Sequence, residues 1–429
     1  MMKLNYKLIY LLLVLSVFIL FKSCFVQKKT ISNRDLSYMY NPGTTLIHPE
    51  YFIYHNSDTT SQLFIKILLS ELLFKNNQQT NISEAKISIF YVLYPSIEDE
   101  LIKDSSTTII NLKENAFIKD ITTYSTIKTL KGEKYILDIK TTDLFGNVSH
   151  HTFIDIDKSK NNTSQNYLIT SVKDNKPVFR RYFTDDAELL IIHNDKSIQQ
   201  LYVYYYNFKF PPAKPPFSSS SEKVVKLNPD SLWIMEKDNR FNLKLKNQGI
   251  YNIKINSSDT SYFTLYSFNK HYPRFKTPEQ LVKPLIYLTS YKEYKNLLNY
   301  DDPKLAVDSF WLKTSGNVDR AKELIRVYYN RAQLANYYFT SYKEGWKTDR
   351  GMIYTIFGTP TTIFVNNESE TWSYGRKSSS KSLEFVFYKT SSEFENNDYI
   401  LLRSDFYDRL WFNAVDSWRN GQAFSVENE

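Results

Sequence analysis

Cysteine is almost absent from this chain: Cys24 stands alone among 429 residues. A single thiol excludes an internal disulfide, and once acylated it leaves nothing for nucleophilic catalysis or metal binding, so packing alone must hold the fold. Histidine is scarce as well, at six residues. His150 and His151 adjoin on a strand-like run and point to opposite faces, while His48, His55, His193 and His271 lack ligand spacing, so no metal site is readable. No long run of like charge occurs, and the excess of +8 is spread thinly along a Lys/Asn/Ile/Tyr-rich chain, which gives no nucleic-acid footprint. Nucleophile elbow, HExxH and phosphate loop are all missing, and GTP at 358–360 reads as a turn. Neither a cofactor nor a metal is expected.

Long apolar runs are lacking too. The longest uncharged stretch near the start, Leu8 to Phe21, has fourteen residues, short of the roughly 20 that cross a bilayer and suited to the core of a signal peptide. Lys3 and Lys7 precede it, and Lys22, Ser23 and Cys24 follow, so residues 1–23 read as an export signal. FKSC resembles a lipobox: Ser23 before the cysteine is typical, and Lys22 departs from the strict pattern in a way that the looser lipoboxes of Bacteroidota tolerate. That resemblance implies a lipidated Cys24 and a membrane contact made through acyl chains, each buried methylene contributing about 0.8 kcal/mol. Loss of three lysines with the signal lowers the net charge from +8 to +5. Lys28 and Lys29 stand where acidic residues often mark surface lipoproteins, so the expected location is the periplasmic side of the outer membrane, with residues 24–37 as a tether.

What the chain has in quantity is apolar and aromatic side chains, 42% and 16%, enough for sizeable cores and about three domains. From 38 to 157, YFIYH, SQLFIKILL, AKISIFYVLY, EKYILDIKTTD and HHTFIDID are short, β-branched or aromatic runs parted by polar turns, with a hairpin turn at DLFGN. They predict an immunoglobulin- or fibronectin-like β-sandwich. KSKNNTSQN, 158–166, is a polar break, and strands from 167 to 268 predict a second, smaller sandwich. Within it PPAKPPFSSSSEK, 211–223, reads as a protruding solvated loop. From 277 the period becomes helical, with short helices broken at Pro284 and one long helix from Asp319 to Tyr342, capped by Asp319 and stopped at Gly345. Strands return in GMIYTIF, TTIFV, ETWSYG, SLEFVFYK and DYILLRSD, and a last helix covers 405–419. The fold class is mainly β and multidomain, two sandwiches followed by an α+β domain over 277–419.

Three of the ten glycines fall within EGWKTDRGMIYTIFG, an unusual density of backbone specification. Gly345, Trp346, Thr348, Asp349, Arg350 and Gly351, then Tyr354, Gly358, Pro360 and Ile363, then Trp372 and Tyr374, resemble the GWxTD domain found mainly in Bacteroidota and related bacteria. Phe310-Trp311, Asn330-Arg331 and Ala335-Asn336 are similar to that family's helical lead-in. The likeness covers about 270–410 and brings no established activity with it, so roles come from the residues. Gly345 is expected at positive φ at a helix end, Trp346 as an anchor between helix and sheet, Asp349 and Arg350 as backbone caps or an ion pair, and Gly358 with Pro360 as a tight turn. The motif thus reads as a corner of the fold. Its alternative reading is an interaction site made of Gly345, Trp346, Thr348, Asp349, Arg350, Gly351, Gly358, Pro360, Trp372 and Tyr374.

The expected function is a non-enzymatic lipoprotein that serves as scaffold or accessory subunit of an envelope assembly or secretion complex, with envelope proteins as partners. The alternative is a glycan- or peptidoglycan-binding module using faces such as Trp372 or Trp411. A hydrolase would need Asp349 to converge with Glu370 or Asp405. No catalytic residue is assigned.

Overall fold

A computed structural model describes residues 30–425 apart from 79–81, 116, 185, 220–226, 376–381, 391–393 and 395–397. The signal segment, Cys24, Lys28 and Lys29 lie outside the described residues, as does the end of the serine run at 220–223.

The first domain contains β1 (Glu50–Tyr54), β2 (Thr60–Leu68), β3 (Lys75–Asn77), β4 (Ile82–Tyr94), β5 (Asp104–Lys113), β6 (Asp120–Lys128), β7 (Lys134–Asp143) and β8 (Val148–Asp157). One sheet runs β1-β2-β6; the other runs β3-β4-β7-β8, with β5 also paired to β4. Alternation along β4 and β7 sends Ile87, Ile89, Tyr91, Leu137 and Ile139 into the core between the sheets. The second domain repeats the plan with β9 (Tyr167–Ser171), β10 (Tyr182–Phe183), β11 (Ala187–His193), β12 (Gln200–Tyr206), β13 (Ser231–Glu236), β14 (Phe241–Leu245), β15 (Gly249–Lys254) and β16 (Phe263–Ser267), in sheets β14-β11-β9 and β10-β16-β15-β12-β13. Strands β3, β5, β6, β9, β10 and β13 were not anticipated. β5 is largely exposed and rich in Ser and Thr, so it carries little apolar periodicity to read.

The third domain packs helices on a four-stranded meander. Its helices are α1 (Pro278–Val282), α2 (Tyr291–Leu298), α3 (Pro303–Ser315), α4 (Val318–Phe339) and α5 (Asp349–Phe357). The strands β17 (Thr362–Val365), β18 (Ser369–Tyr374), β19 (Leu383–Thr390) and β20 (Asp398–Leu401) follow in sheet order, and α6 (Tyr407–Arg419) closes the chain. α4 buries Leu324, Tyr328, Ala332, Ala335 and Phe339 at helical spacing, and its N-cap is Asn317, not Asp319. GMIYTIF, expected as a strand, is helix α5. All of its side chains from Met352 to Phe357 are buried, so no face contrasts with another and the period is silent. The deciding signal is Thr348, whose hydroxyl caps the Gly351 N–H at 3.0 Å.

Two segments expected to be loose are built in. Residues 30–37, expected as part of a tether, bury Ile31 and Leu36 in the third domain's core. The Leu36 N–H donates to the Ile363 carbonyl at 2.8 Å and the Ile363 N–H to Asp35 Oδ1 at 2.9 Å, an extension of β17. The same segment reaches the first domain through Arg34 to Asp138 at 3.2 Å and Tyr38 to His151 Nδ1 at 3.0 Å. The proline stretch does not protrude over its described part. Ala213 is buried, its N–H donates to the Lys347 carbonyl at 2.8 Å, and the Ser404 N–H donates to the Pro216 carbonyl at 3.1 Å. Polyproline backbone leaves carbonyls unpaired, and here the third domain supplies the donors. Arg180 ties all three domains: its Nε donates to Glu50 at 3.1 Å, its Nη1 to Tyr182 at 2.6 Å, and its guanidinium covers the Tyr337 ring.

Candidate functional site

The corner begins where the long helix ends. A 3-10 turn, Gly345–Lys347, doubles back on α4 and passes through Thr348 into α5. Gly345 is not at positive φ, contrary to expectation. Its glycine is required by contact: a Cβ there would lie 2.1 Å from the Ala335 carbonyl oxygen, and one on Gly351 would lie 1.8 Å from the Gly345 carbonyl oxygen. α4, the turn and α5 therefore touch backbone to backbone, an approach only glycine permits. Asn336 stitches this contact, accepting from the Trp346 N–H at 3.0 Å and donating to the Pro273 carbonyl at 2.9 Å. Trp346 is buried, and its carbonyl accepts from the Tyr287 hydroxyl at 3.0 Å.

Asp349 and Arg350 do not pair with each other. The Asp349 carboxylate accepts from Arg403 through both oxygens, at 2.5 and 3.0 Å, and from the Leu401 N–H at 2.8 Å. It thereby takes one donor at the edge of β20 that an added strand would otherwise use. Arg403 also donates to the Lys214 carbonyl at 3.2 Å, which binds the proline strap to the same pair. Arg350 points the other way. Its Nη1 meets Glu370 Oε1 at 3.1 Å, and Glu370 also accepts from the Tyr40 hydroxyl and the Trp372 indole, each at 3.1 Å. Burial opposes the charge on Arg350, and the Glu370 carboxylate together with Tyr40, Tyr399 and Asp398 outweighs it, holding the guanidinium pKa above its usual range. Burial, then the Glu370 charge, pushes the Tyr40 phenol far up, so it remains a donor.

The remaining motif residues complete the same packing. Gly358 has φ +84°, and a Cβ there would lie 2.8 Å from the Arg331 guanidinium carbon. Arg331 donates to the Ile356 and Phe424 carbonyls at 3.0 and 3.1 Å, and the Tyr374 hydroxyl donates to the Gly358 carbonyl at 3.0 Å. Pro360 and Trp372 are buried. Trp372 and Trp411 are 0% and 3% exposed, so neither indole offers a face to a sugar.

For acid–base chemistry the arrangement is unpromising. Asp349 and Glu370 each answer to a different arginine, and Asp405 lies exposed beyond them. No cluster of three or more His, Cys, Asp or Glu with metal-holding geometry occurs among the described residues. One opening does reach the motif. A cleft of about 620 Å³ where the three domains meet is lined by Arg350 and Glu370 together with Tyr40, Tyr399, Phe153 and Lys160. Of these, Tyr40, Tyr399, Phe153 and Lys160 carried no sequence signal, because they come from separate domains and from the polar break at 158–166. Arg403 and Lys214 were missed for the same reason.

The profile of the GWxTD domain matches residues 249–420, beginning in β15 of the second sandwich rather than at the first helix. No curated protein matches the sequence. Among solved structures, Bacteroides uniformis beta-glucuronidase 2, covalently bound to cyclophellitol-6-carboxylate aziridine, is similar at 8% identity with a TM-score of 0.16. That alignment covers 32% of this chain and 15% of the enzyme's length, and is too slight to bear on fold or function.

Proposed function

We propose, from the premise that this chain is a GWxTD domain-containing protein, that it is a non-enzymatic scaffold of the cell envelope. In this reading Cys24 is lipidated and the body stands on the periplasmic side of the outer membrane, where it serves as an accessory subunit of an assembly or secretion complex. The observation that carries the reading is the course of residues 30–40. They run from the anchor side of the chain directly into the GWxTD core, with Tyr40 on Glu370 and the Tyr354 hydroxyl on the Tyr40 carbonyl at 2.8 Å. A lipid at Cys24 would then hold the third domain within a few residues of the bilayer, while Arg180 keeps both sandwiches at a set angle to it. Rigid presentation of two sandwiches at a membrane suits a protein that positions partners, because a preordered surface loses little entropy on binding.

The test is recovery of the tagged protein from gently solubilised membranes beside a Cys24→Ser variant. Expected is a membrane-bound wild type that brings a stable set of envelope proteins, and a variant released from the membrane. A wild type that fractionates with soluble proteins, or that brings down nothing after mild crosslinking, would refute the reading.

A further inference from the structure

The three-domain cleft is more than a seam, because Arg350 enters it with donors unspent. Nη1 serves Glu370 and, at 3.4 Å, Tyr40. Nε and Nη2 meet no acceptor among the described residues, although the side chain is only 12% exposed and lines the cavity. The guanidinium carbon lies over the Tyr399 ring, 3.9 Å from its centroid, with the Phe339 centroid at 5.1 Å. An arginine stacked on a ring, lining a cavity and with Nε and Nη2 unserved among the described residues, can match a carboxylate bidentately.

The surroundings set the sign of the guest. Among the described residues, five basic side chains line the cavity against three acidic ones. Lys389 pairs with Asp155 at 3.0 Å and Lys134 with Asp157 at 3.3 Å, while the exposed Lys160 makes no ion pair among the described residues. Lys160 therefore remains as a positive charge once these pairs are formed among the described residues.

The walls set its body. The outward face of β7 and β8 presents Lys134 beside Ile136 and Phe153 beside Asp155 and Asp157, while Met39 and Val365 lie across from it. Apolar and polar groups lie side by side along these strands, which suits a peptide, whose side chains and backbone amides present both kinds. A fatty acid favours an apolar tunnel. A sugar favours an open aromatic face, and the Tyr399 face is taken by Arg350.

We propose that the cleft binds the free C-terminal carboxylate of a partner polypeptide, with Arg350 holding the carboxylate and Lys160 drawing it in. This rests on the reading of the chain as a binding protein and names where the partner is held.

The test is fluorescence anisotropy of the full chain in detergent with labelled hexapeptides of mixed sequence ending in Phe, Tyr or Val, as free acids and as C-terminal amides. Expected is saturable binding of the acids, at least tenfold weaker binding of the amides, and weakening by tenfold or more in Arg350→Lys, which keeps the charge on Glu370 but loses the fork. Lys160→Glu, at an exposed position with no packing role, is expected to weaken the acids threefold or more and keeps the test valid should the arginine variant misfold. Equal affinity for acids and amides, or wild-type affinity in Lys160→Glu, overturns the proposal. So does binding of decanoate or glucuronate without the peptide acids, which would reassign the cleft to a lipid or sugar acid. If the same envelope proteins come down with Lys160→Glu as with wild type while the peptides fail to bind, the cleft assignment falls and the scaffold reading stands.

Discussion

Removing the Asp349 carboxylate tests whether the motif is there to fold. In Asp349→Ala the Arg403 guanidinium, 10% exposed, keeps only the Lys214 carbonyl as a partner, and the Leu401 N–H loses its acceptor. Breaking a buried pair from one side costs about 3–5 kcal/mol, and an orphaned buried N–H about 1–3 kcal/mol. The two overlap in one network, so the expected loss is about 3–5 kcal/mol, a large share of a domain's stability. Five of the six tryptophans, all but Trp233, lie in the third domain, so tryptophan fluorescence during urea unfolding reports mainly on it. Asp349→Leu combined with Arg403→Met should recover part of the loss, because an apolar pair of similar volume leaves no charge uncompensated. A loss under about 1 kcal/mol for Asp349→Ala, or a double variant no more stable than the single, would refute the structural account of the motif.

Three further outcomes are expected. Gly351→Ala should cost more than about 3 kcal/mol, since both atoms of the 1.8 Å clash are fixed by backbone and no rotamer escapes it, whereas Gly43→Ala, 3.4 Å from a side-chain oxygen, should melt as wild type does. His55 is buried between Ser61 and the Asp157 carbonyl, and burial lowers its pKa from 6.5 to about 4; His150 is lowered to about 4 by burial and by His48 and His151. Both are neutral in the fold but charge in the unfolded chain below about pH 6.5, so the unfolded state takes up protons first. Stability should be full above that pH and fall toward pH 4, by up to about 1.4 kcal/mol per unit for each histidine. A urea midpoint that stays flat from pH 7 to 5 would contradict this, and His55→Gln should shallow the slope. Lys158, buried at the base of the first sandwich, donates to the Ser57, Thr60 and Thr129 carbonyls at 2.7, 3.0 and 3.0 Å. Lys158→Met, measured by thermal melting, should cost about 1–3 kcal/mol by leaving those carbonyls unserved; an unchanged melt would show that water replaces the ammonium.

Periodicity along the chain was enough to read both sandwiches, the long helix and most of the meander. In β4, β7, β12 and α4, one face is apolar and the other is not, so the local pattern already contains the direction of burial. The hairpin at 143–147, with Asn147 at φ 53°, was legible from its turn residues. Reading failed where that contrast vanishes. α5 is buried all round, β5 is exposed nearly throughout, and the proline strap and residues 30–37 carry no period at all.

The corner's residue types were visible in EGWKTDRG, but the partners were not. Asp349 is answered 54 positions later by Arg403, Arg350 by Glu370 twenty positions on, and Glu370 by Tyr40, 330 positions before it. Spacing cannot encode such pairings, because they arise only once three domains and the segment before them have docked. The need for glycine at 345 and 351 belongs to the same class. A φ-based reason could be guessed from a helix end, whereas two backbones packed so closely that an added Cβ would meet a carbonyl oxygen exist only in the packed molecule. Local hydrophobic contrast thus chose the elements, and tertiary docking chose which charges were consumed in the fold and placed Arg350 in the lining of a cavity.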